Sequence, residues 1–253
     1  MTELLIQGIH GRMGRALRAL AEGRDDCRIT AGVDPAAFTC FVPVFSTLEA
    51  CTVRADVLID FSCPAGAQAA IAYCGAHQMP LVACTTGLDK EQEQALLALS
   101  QTVPVFRSAN MSLGINLLIE LVRQANAVLG TQFDIEIIEK HHHNKVDAPS
   151  GTALMIADAL CQSADTPYQL VYNRHERREK RSPAEIGLHA VRGGSIVGEH
   201  EVLFAGPQEE LTISHRAESR EVFAAGALAA AVFLARQPAG LYTMKDLIYG
   251  EKK

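Results

Sequence analysis

The sequence predicts an α/β protein in which a doubly wound parallel sheet is followed by a second, mixed α+β domain. Three observations carry that reading. Over residues 4–107 short apolar runs alternate with helix-patterned runs, the pattern of parallel strands joined by helical crossovers. A glycine-rich turn separates the first strand from the first helix. After a long helical stretch ending near Leu129 the alternation stops and strand-like runs cluster.

Leu4-Leu5-Ile6 reads as a short buried strand. It runs into Gly8-Ile9-His10-Gly11-Arg12-Met13-Gly14, and residues 16–21 read as helix. Strand, glycine turn and helix form the context of a dinucleotide-binding, Rossmann-type unit, although the spacing is G-x-x-G-x-x-G rather than G-x-G-x-x-G. The next strand, residues 28–33, ends in Asp34, whose carboxylate is placed to accept hydrogen bonds from an adenosine ribose. The alternative is a tight turn and a strand-end aspartate with no ligand. Strands at 55–61, 80–84 and 103–107 follow, with helices at 64–78 and 91–101. Ligands of such sheets bind beyond the carboxyl ends of strands. There lie Cys84-Thr85-Thr86 and Ser108-Ala109-Asn110-Met111, which turn chemistry would also favour.

Residues 112–129 read as an amphipathic helix bridging two domains, with Leu117, Leu118, Leu121, Val122 and Ala125 as its apolar stripe. A strand at 133–138 leads into His141-His142-His143, Lys145, Asp147 and Pro149-Ser150-Gly151-Thr152. Ser150 is a good N-cap, and Leu154, Ala157 and Leu160 or Cys161 follow at helical spacing. The imidazoles and the ammonium are therefore expected on a loop between strand and helix. A helix N-terminus offers backbone N–H groups, Gly151 lets an anion come close, and Lys145 adds a charge. Histidine passes protons near neutral pH. Together these describe a pocket for a carboxylate or phosphate with a proton donor beside it. Zinc is the competing reading, but no Cys-x-x-Cys or His-Glu-x-x-His completes a ligand set, and only His141 and His143 would converge.

Strand-like runs at 169–172, 186–191, 195–204 and 210–215 precede a helix at 219–237 and a tail, 241–249, expected to pack back on the first domain. The charge run at 174–181 is expected to be solvated surface, or else to bring one cation to an anionic ligand. Arg192-Gly193-Gly194-Ser195 reads as a tight turn.

At 253 residues the chain is long enough for one large or two modest cores. A net charge of -6 argues against a nucleic-acid partner, and an anionic ligand must find a local positive patch. Met1-Thr2-Glu3-Leu4 has no basic prelude, so no signal peptide is expected. No apolar run reaches the ~18 residues of a membrane helix. Seven cysteines without paired spacing fit reduced thiols and a cytoplasmic setting.

EKHHHNKVDAPSGTAL resembles the signature of the 4-hydroxy-tetrahydrodipicolinate reductase (dihydrodipicolinate reductase) family. The resemblance covers the whole chain, with GxxGRMG, the aspartate ending the second strand, TTG, SANMS and RGGSIVGEH in that family's order. It implies a dinucleotide-binding domain from residues 1–111 and 221–253, enclosing a substrate-binding and oligomerisation domain, 112–220. It implies NAD(P)H-dependent reduction of a small cyclic dicarboxylate, 4-hydroxy-tetrahydrodipicolinate, in lysine and diaminopimelate biosynthesis. It implies a homotetramer built through open sheets, which residues 186–216 would supply, and no metal, nucleic acid or membrane. By that likeness His141 and Lys145 are catalytic proton donors, while His142, Gly151 and Thr152 bind substrate. Gly8, Ile9, His10, Gly11, Arg12, Met13, Asp34, Cys84, Thr85, Thr86, Ser108, Ala109, Asn110 and Met111 contact the cofactor.

The chain departs from the family at three places. Cys84 stands where glycine is usual, Met111 where phenylalanine is common, and Pro35 follows Asp34 instead of an arginine that helps bind a 2′-phosphate. A carboxylate without that arginine predicts NADH as the preferred cofactor, with NADPH as the alternative if Arg12 compensates. A non-catalytic dinucleotide sensor and a histidine-ligated metal hydrolase are the competing functions.

Overall fold

The computed structural model describes residues 1–36, 39–164 and 168–250. They form two compact units, Met1–Leu113 with the C-terminal segment from Arg220, and Gly114–Ser219.

The first unit begins β1 (Thr2–Gln7), α1 (Arg12–Ala21), β2 (Cys27–Val33), β3 (Val44–Phe45), β4 (Val57–Asp60), α2 (Pro64–His77), β5 (Leu81–Ala83), α3 (Lys90–Leu99) and β6 (Pro104–Arg107). The strand and helix alternation read from the apolar runs is present. The two-residue β3 is too short to leave a period in the sequence. Pro64 opens α2 at a position where its missing N–H costs nothing. A reciprocal Asp89–Gln92 capping box starts α3 one residue before the expected 91.

The second unit holds α4 (Leu113–Leu129), a 3₁₀ turn (Gly130–Gln132), β7 (Asp134–His141), α5 (Gly151–Gln162), β8 (Gln169–Val171), β9 (Glu185–Arg192), β10 (Gly198–Ala205) and β11 (Glu210–Ala217). Its sheet runs β11-β10-β7-β9-β8, with antiparallel β11-β10-β7 and parallel β7-β9-β8. Ile135, Ile137, Val202 and Phe204 meet Ile115, Leu118 and Val122 of α4 and Ile156 and Leu160 of α5 in one core.

Two expectations change here. The α4 residues facing the core are Ile115, Leu118, Ile119, Val122 and Asn126, whereas Leu117 and Leu121 are 45% and 40% exposed. Asn116, Glu120, Arg123 and Gln124 make one polar side, but the apolar side is broad enough that the spacing admits two stripes, and packing selects one. The strand expected at 133–138 runs on to His141, so His141 lies on a strand and not on the loop. Glu139 and His141 continue the inward alternation of Ile135 and Ile137, which their polarity concealed. The charge run is mostly exposed, as expected of solvated surface, and three of its arginines are also held in ion pairs. Arg174 pairs with Glu136 and Glu185, Arg177 with Glu185, and Arg181 with Asp134 and Glu136.

The chain then returns to the first unit as α6 (Glu221–Leu234), β12 (Gly240–Tyr242) and α7 (Met244–Tyr249). Its completed sheet is fully parallel, in the order β12-β6-β5-β4-β1-β2-β3. Both faces are buried, which is why the strands read as continuous apolar runs. Leu4, Ile6, Ile59, Val82 and Phe106 pack with α1 and α6 residues on one side. Leu5, Leu58, Leu81 and Val105 pack with those of α2 and α3 on the other. Gly226 lets α6 approach closely, since a Cβ there would lie 1.8 Å from the Met111 carbonyl oxygen. Among the described residues no helix is long and apolar enough to cross a membrane.

Candidate active site

Strand order reverses between β1 and β4, the position where open parallel sheets bind ligands. Beyond β1 the chain turns through Gly8, at φ +80°, where a Cβ would lie 2.6 Å from the Phe61 carbonyl oxygen. Gly14 is pressed on the same turn, with a Cβ position 2.4 Å from the carbonyl oxygens of both Gly8 and Ile9. Glycine at these points brings the N-terminus of α1 against the strand ends with no side chain between, the cradle a pyrophosphate requires. The Asp34 carboxylate bends back to this turn, Oδ2 accepting from the His10 amide at 3.1 Å. The residues present therefore fit a dinucleotide.

A cavity of about 370 Å³ in this unit is lined by Arg12, Met13, Cys84, Thr85, Thr86, Ser108, Ala109, Asn110 and Met111 from the expected set. Phe61, Ser62 and Phe223 join them. Gly8, His10, Gly11 and Asp34 form the adjoining turn. Ile9 is fully buried and offers a ligand only its backbone. Thr85 Oγ1 donates to buried Asp60 at 2.7 Å and accepts from the Ser62 amide at 3.1 Å, so its hydroxyl braces strand ends. Burial pushes the thiol of Cys84 up, and that side chain faces the core.

In the second unit the inward positions at the end of β7 carry Glu139 and His141. Glu139 is 1% exposed and its carboxylate takes four hydrogen bonds. His141 Nδ1 lies 2.5 Å from Oε2, and the Ser150 amide donates to Oε1 at 2.9 Å. Arg192 forks across both oxygens at 2.7 Å. Its Nη2 also donates to the Asp147 carbonyl at 2.7 Å, tying the loop down. His200, opposite Glu139 in the sheet register, meets the His141 ring edge-on with centroids 5.2 Å apart. His200 Nε2 shares a 3.1 Å hydrogen bond with Ser150 Oγ, which caps α5 by accepting from the Ala153 amide. Lys145 Nζ donates to both oxygens of Asp147 at 2.8 Å. Gly151 opens α5 with empty space where a Cβ would stand. His142 is half-buried and His143 exposed, so the histidines do not act as one cluster. Among the described residues no group of three His, Cys, Asp or Glu is placed to hold a metal ion.

Burial opposes charge on Glu139, but the bonds from Arg192, His141 and Ser150 outweigh it and hold the carboxyl below the ordinary glutamate range. Burial lowers His141, and its bond to Glu139 offsets this only in part. Burial, reinforced by the neighbouring His141, brings His200 down to about 4. His200 is therefore neutral in the fold where the unfolded chain would protonate it. Its contribution to stability is complete above the ordinary histidine value of ~6.5 and is lost as pH falls toward 4. That loss is at most about 3 kcal/mol. We expect the urea midpoint to fall between pH 7 and pH 4.5, and to fall distinctly less in His200→Asn. Parallel curves for the two proteins would refute the assignment.

The family model for the dihydrodipicolinate reductase C-terminus matches residues 114–248, and that for its N-terminus matches residues 2–111. The chain belongs to the dihydrodipicolinate reductase family. A 4-hydroxy-tetrahydrodipicolinate reductase of Caldanaerobacter subterraneus subsp. tengcongensis is 51% identical over 248 residues, 98% of each chain. One from Clostridium tetani is 44% identical over 249 residues, covering 98% of this chain and 97% of the relative. The dipicolinate-bound dihydrodipicolinate reductase from Paenisporosarcina sp. TG-14 superposes with a TM-score of 0.80 at 26% identity, over 96% of this chain and 97% of that one. A member of this reductase family is an oxidoreductase using a nicotinamide dinucleotide.

Glu139, Arg192, His200 and Asp60 were not among the residues singled out as site candidates. Glu139 had a usable signal, the two-residue step from Ile135 through Ile137 to His141. Arg192 and His200 lie inside RGGSIVGEH, where the sequence marks a tight turn and the strand after it but gives neither side chain a role. Asp60 looked like the polar end of an apolar strand.

Proposed function

We propose that the chain catalyses NAD(P)H-dependent reduction of 4-hydroxy-tetrahydrodipicolinate to tetrahydrodipicolinate, a step of lysine and diaminopimelate biosynthesis. The observation that carries this is the clamped Glu139–His141 pair, with Lys145 on the loop that Arg192 ties down. Gly8, Gly11 and the N-terminus of α1 would hold the pyrophosphate and Asp34 a ribose, with the cavity residues beside them. The bound nicotinamide supplies the hydride. His141 and Lys145 hold the protons that must accompany it, and a protonated imidazole or ammonium is the kind of cation that stabilises charge as it develops. A substrate carboxylate is drawn to the amides of Gly151 and Thr152 at the α5 N-terminus and to Lys145, which exchanges Asp147 for it. His142 contacts the substrate from the same loop. Loss of NADH absorbance in an assay coupled to the enzyme that makes the substrate tests the reading. No turnover with NADH binding intact would overturn it in favour of a sensor.

Asp34 and Pro35 favour NADH. The Asp34 carboxylate is held at the glycine turn by the His10 and Ala36 amides, so it repels a 2′-phosphate and cannot readily swing away. We expect a higher kcat/KM with NADH than with NADPH. A tenfold NADPH advantage would reverse the assignment and credit Arg12, which lines the cavity. The seven free cysteines support a cytoplasmic setting, and the strand-rich second unit supports a homotetramer, which sedimentation velocity tests.

A further inference from the structure

We propose that Glu139 and Arg192 are a positioning pair for this reaction. They fix His141 in the tautomer that carries its proton on Nδ1, leaving Nε2 as the ring nitrogen that exchanges protons with substrate. The proposal rests on His141 as the proton-transferring group.

An ionised carboxylate only accepts hydrogen bonds, so the 2.5 Å contact with Glu139 Oε2 places a hydrogen on His141 Nδ1. The carboxylate has little freedom to turn. Arg192 holds both oxygens in a planar fork, and the Ser150 amide holds Oε1. Arg192 is itself fixed. It pairs with His141 in the β7–β9 register, and the following Gly193 amide donates to the His141 carbonyl at 2.9 Å. The other ring nitrogen faces Gly198, where a Cβ would stand 3.1 Å from Nε2. Glycine there leaves that nitrogen uncrowded.

The groups facing His141 are Glu139 on its own strand, Arg192 on β9, His200 on β10 and Lys145 on the loop, with His215 beyond His200 on β11. Glu139 is the anion among them, so it is the group that favours an imidazolium against burial and two cations. When the ring is charged, the proton on Nε2 passes to substrate and the ring returns to its Nδ1–H form without reorientation. Glu139 is buried and acts through His141 rather than on the substrate.

The decisive measurement is ring-nitrogen NMR on the full chain, with ¹⁵N-labelled histidine, compared across wild type, Glu139→Gln and Arg192→Lys. In the wild type above neutral pH, His141 should be protonated on Nδ1 and bare on Nε2. In Glu139→Gln both tautomers should appear. The limb of the kcat/KM profile set by His141 should move about one pH unit lower, with kcat down about tenfold or more and KM within about twofold. Arg192→Lys, which keeps the charge but loses the fork, should fall between the two. If Glu139→Gln does not fold, the wild-type tautomer alone decides. A neutral wild-type His141 protonated on Nε2 would overturn the proposal. So would an unmoved pH profile in Glu139→Gln when His141→Gln is inactive. Full activity of His141→Gln would bring down the parent reading, and the pairing role with it.

Discussion

His141→Gln lowers kcat by about 10²–10⁴, the range for losing a general acid, and leaves NADH affinity within about twofold. The prediction follows from where the residue sits. His141 is 9% exposed at the end of β7, in a unit whose strands do not contribute to the glycine turn of the first unit. Removing the imidazole takes away a proton carrier but none of the groups expected to hold the dinucleotide. Glutamine keeps a polar side chain of similar reach, so the buried Glu139 still has a donor from that position as well as from Arg192 and Ser150. Stability should therefore change little compared with activity. Single-turnover rates at saturating NADH, together with a fluorescence titration, separate the two effects. A kcat within threefold of wild type would remove His141 from the mechanism.

Gly14→Ala attacks the other half of the site. Its Cβ would stand 2.4 Å from two backbone oxygens, those of Gly8 and Ile9, and backbone cannot give way as a flexible side chain does. Relief requires α1 to move off the end of β1, which opens the cradle and disturbs the packing of Leu17 in the core. Overpacking of this kind costs about 2–3 kcal/mol. In a chain of this size that lowers Tm by about 5–10 °C. NADH binding should weaken at least about tenfold, since the helix amides no longer converge on one point. Gly23→Ala is the control, because nothing lies within 4 Å of its Cβ position. Wild-type melting and NADH affinity in Gly14→Ala would show that the close approach is not needed.

The contrast between these two residues shows what kind of information a sequence carries. Gly8, Gly11 and Gly14 were legible because a tight turn between strand and helix is a local event, set by residues a few positions apart. The parallel sheet was legible for a related reason, since burial on both faces leaves uninterrupted apolar runs such as Leu4-Leu5-Ile6 and Val57-Leu58-Ile59. The orientation of α4 was not. Leu117 and Leu121 are as apolar as Leu118 and Val122, and only the partner surface distinguishes them.

By itself the sequence determined the α/β class, the glycine cradle, the capped start of α5 and the residues able to carry protons. These depend on backbone propensity and short-range periodicity. Only the tertiary structure decided that Glu139 lies under His141, that Arg192 reaches it from 53 positions away, and that His200 closes the other side. Strand register brings those groups together, and register is fixed by side chains packing across the whole sheet rather than by any residue's neighbours in the chain.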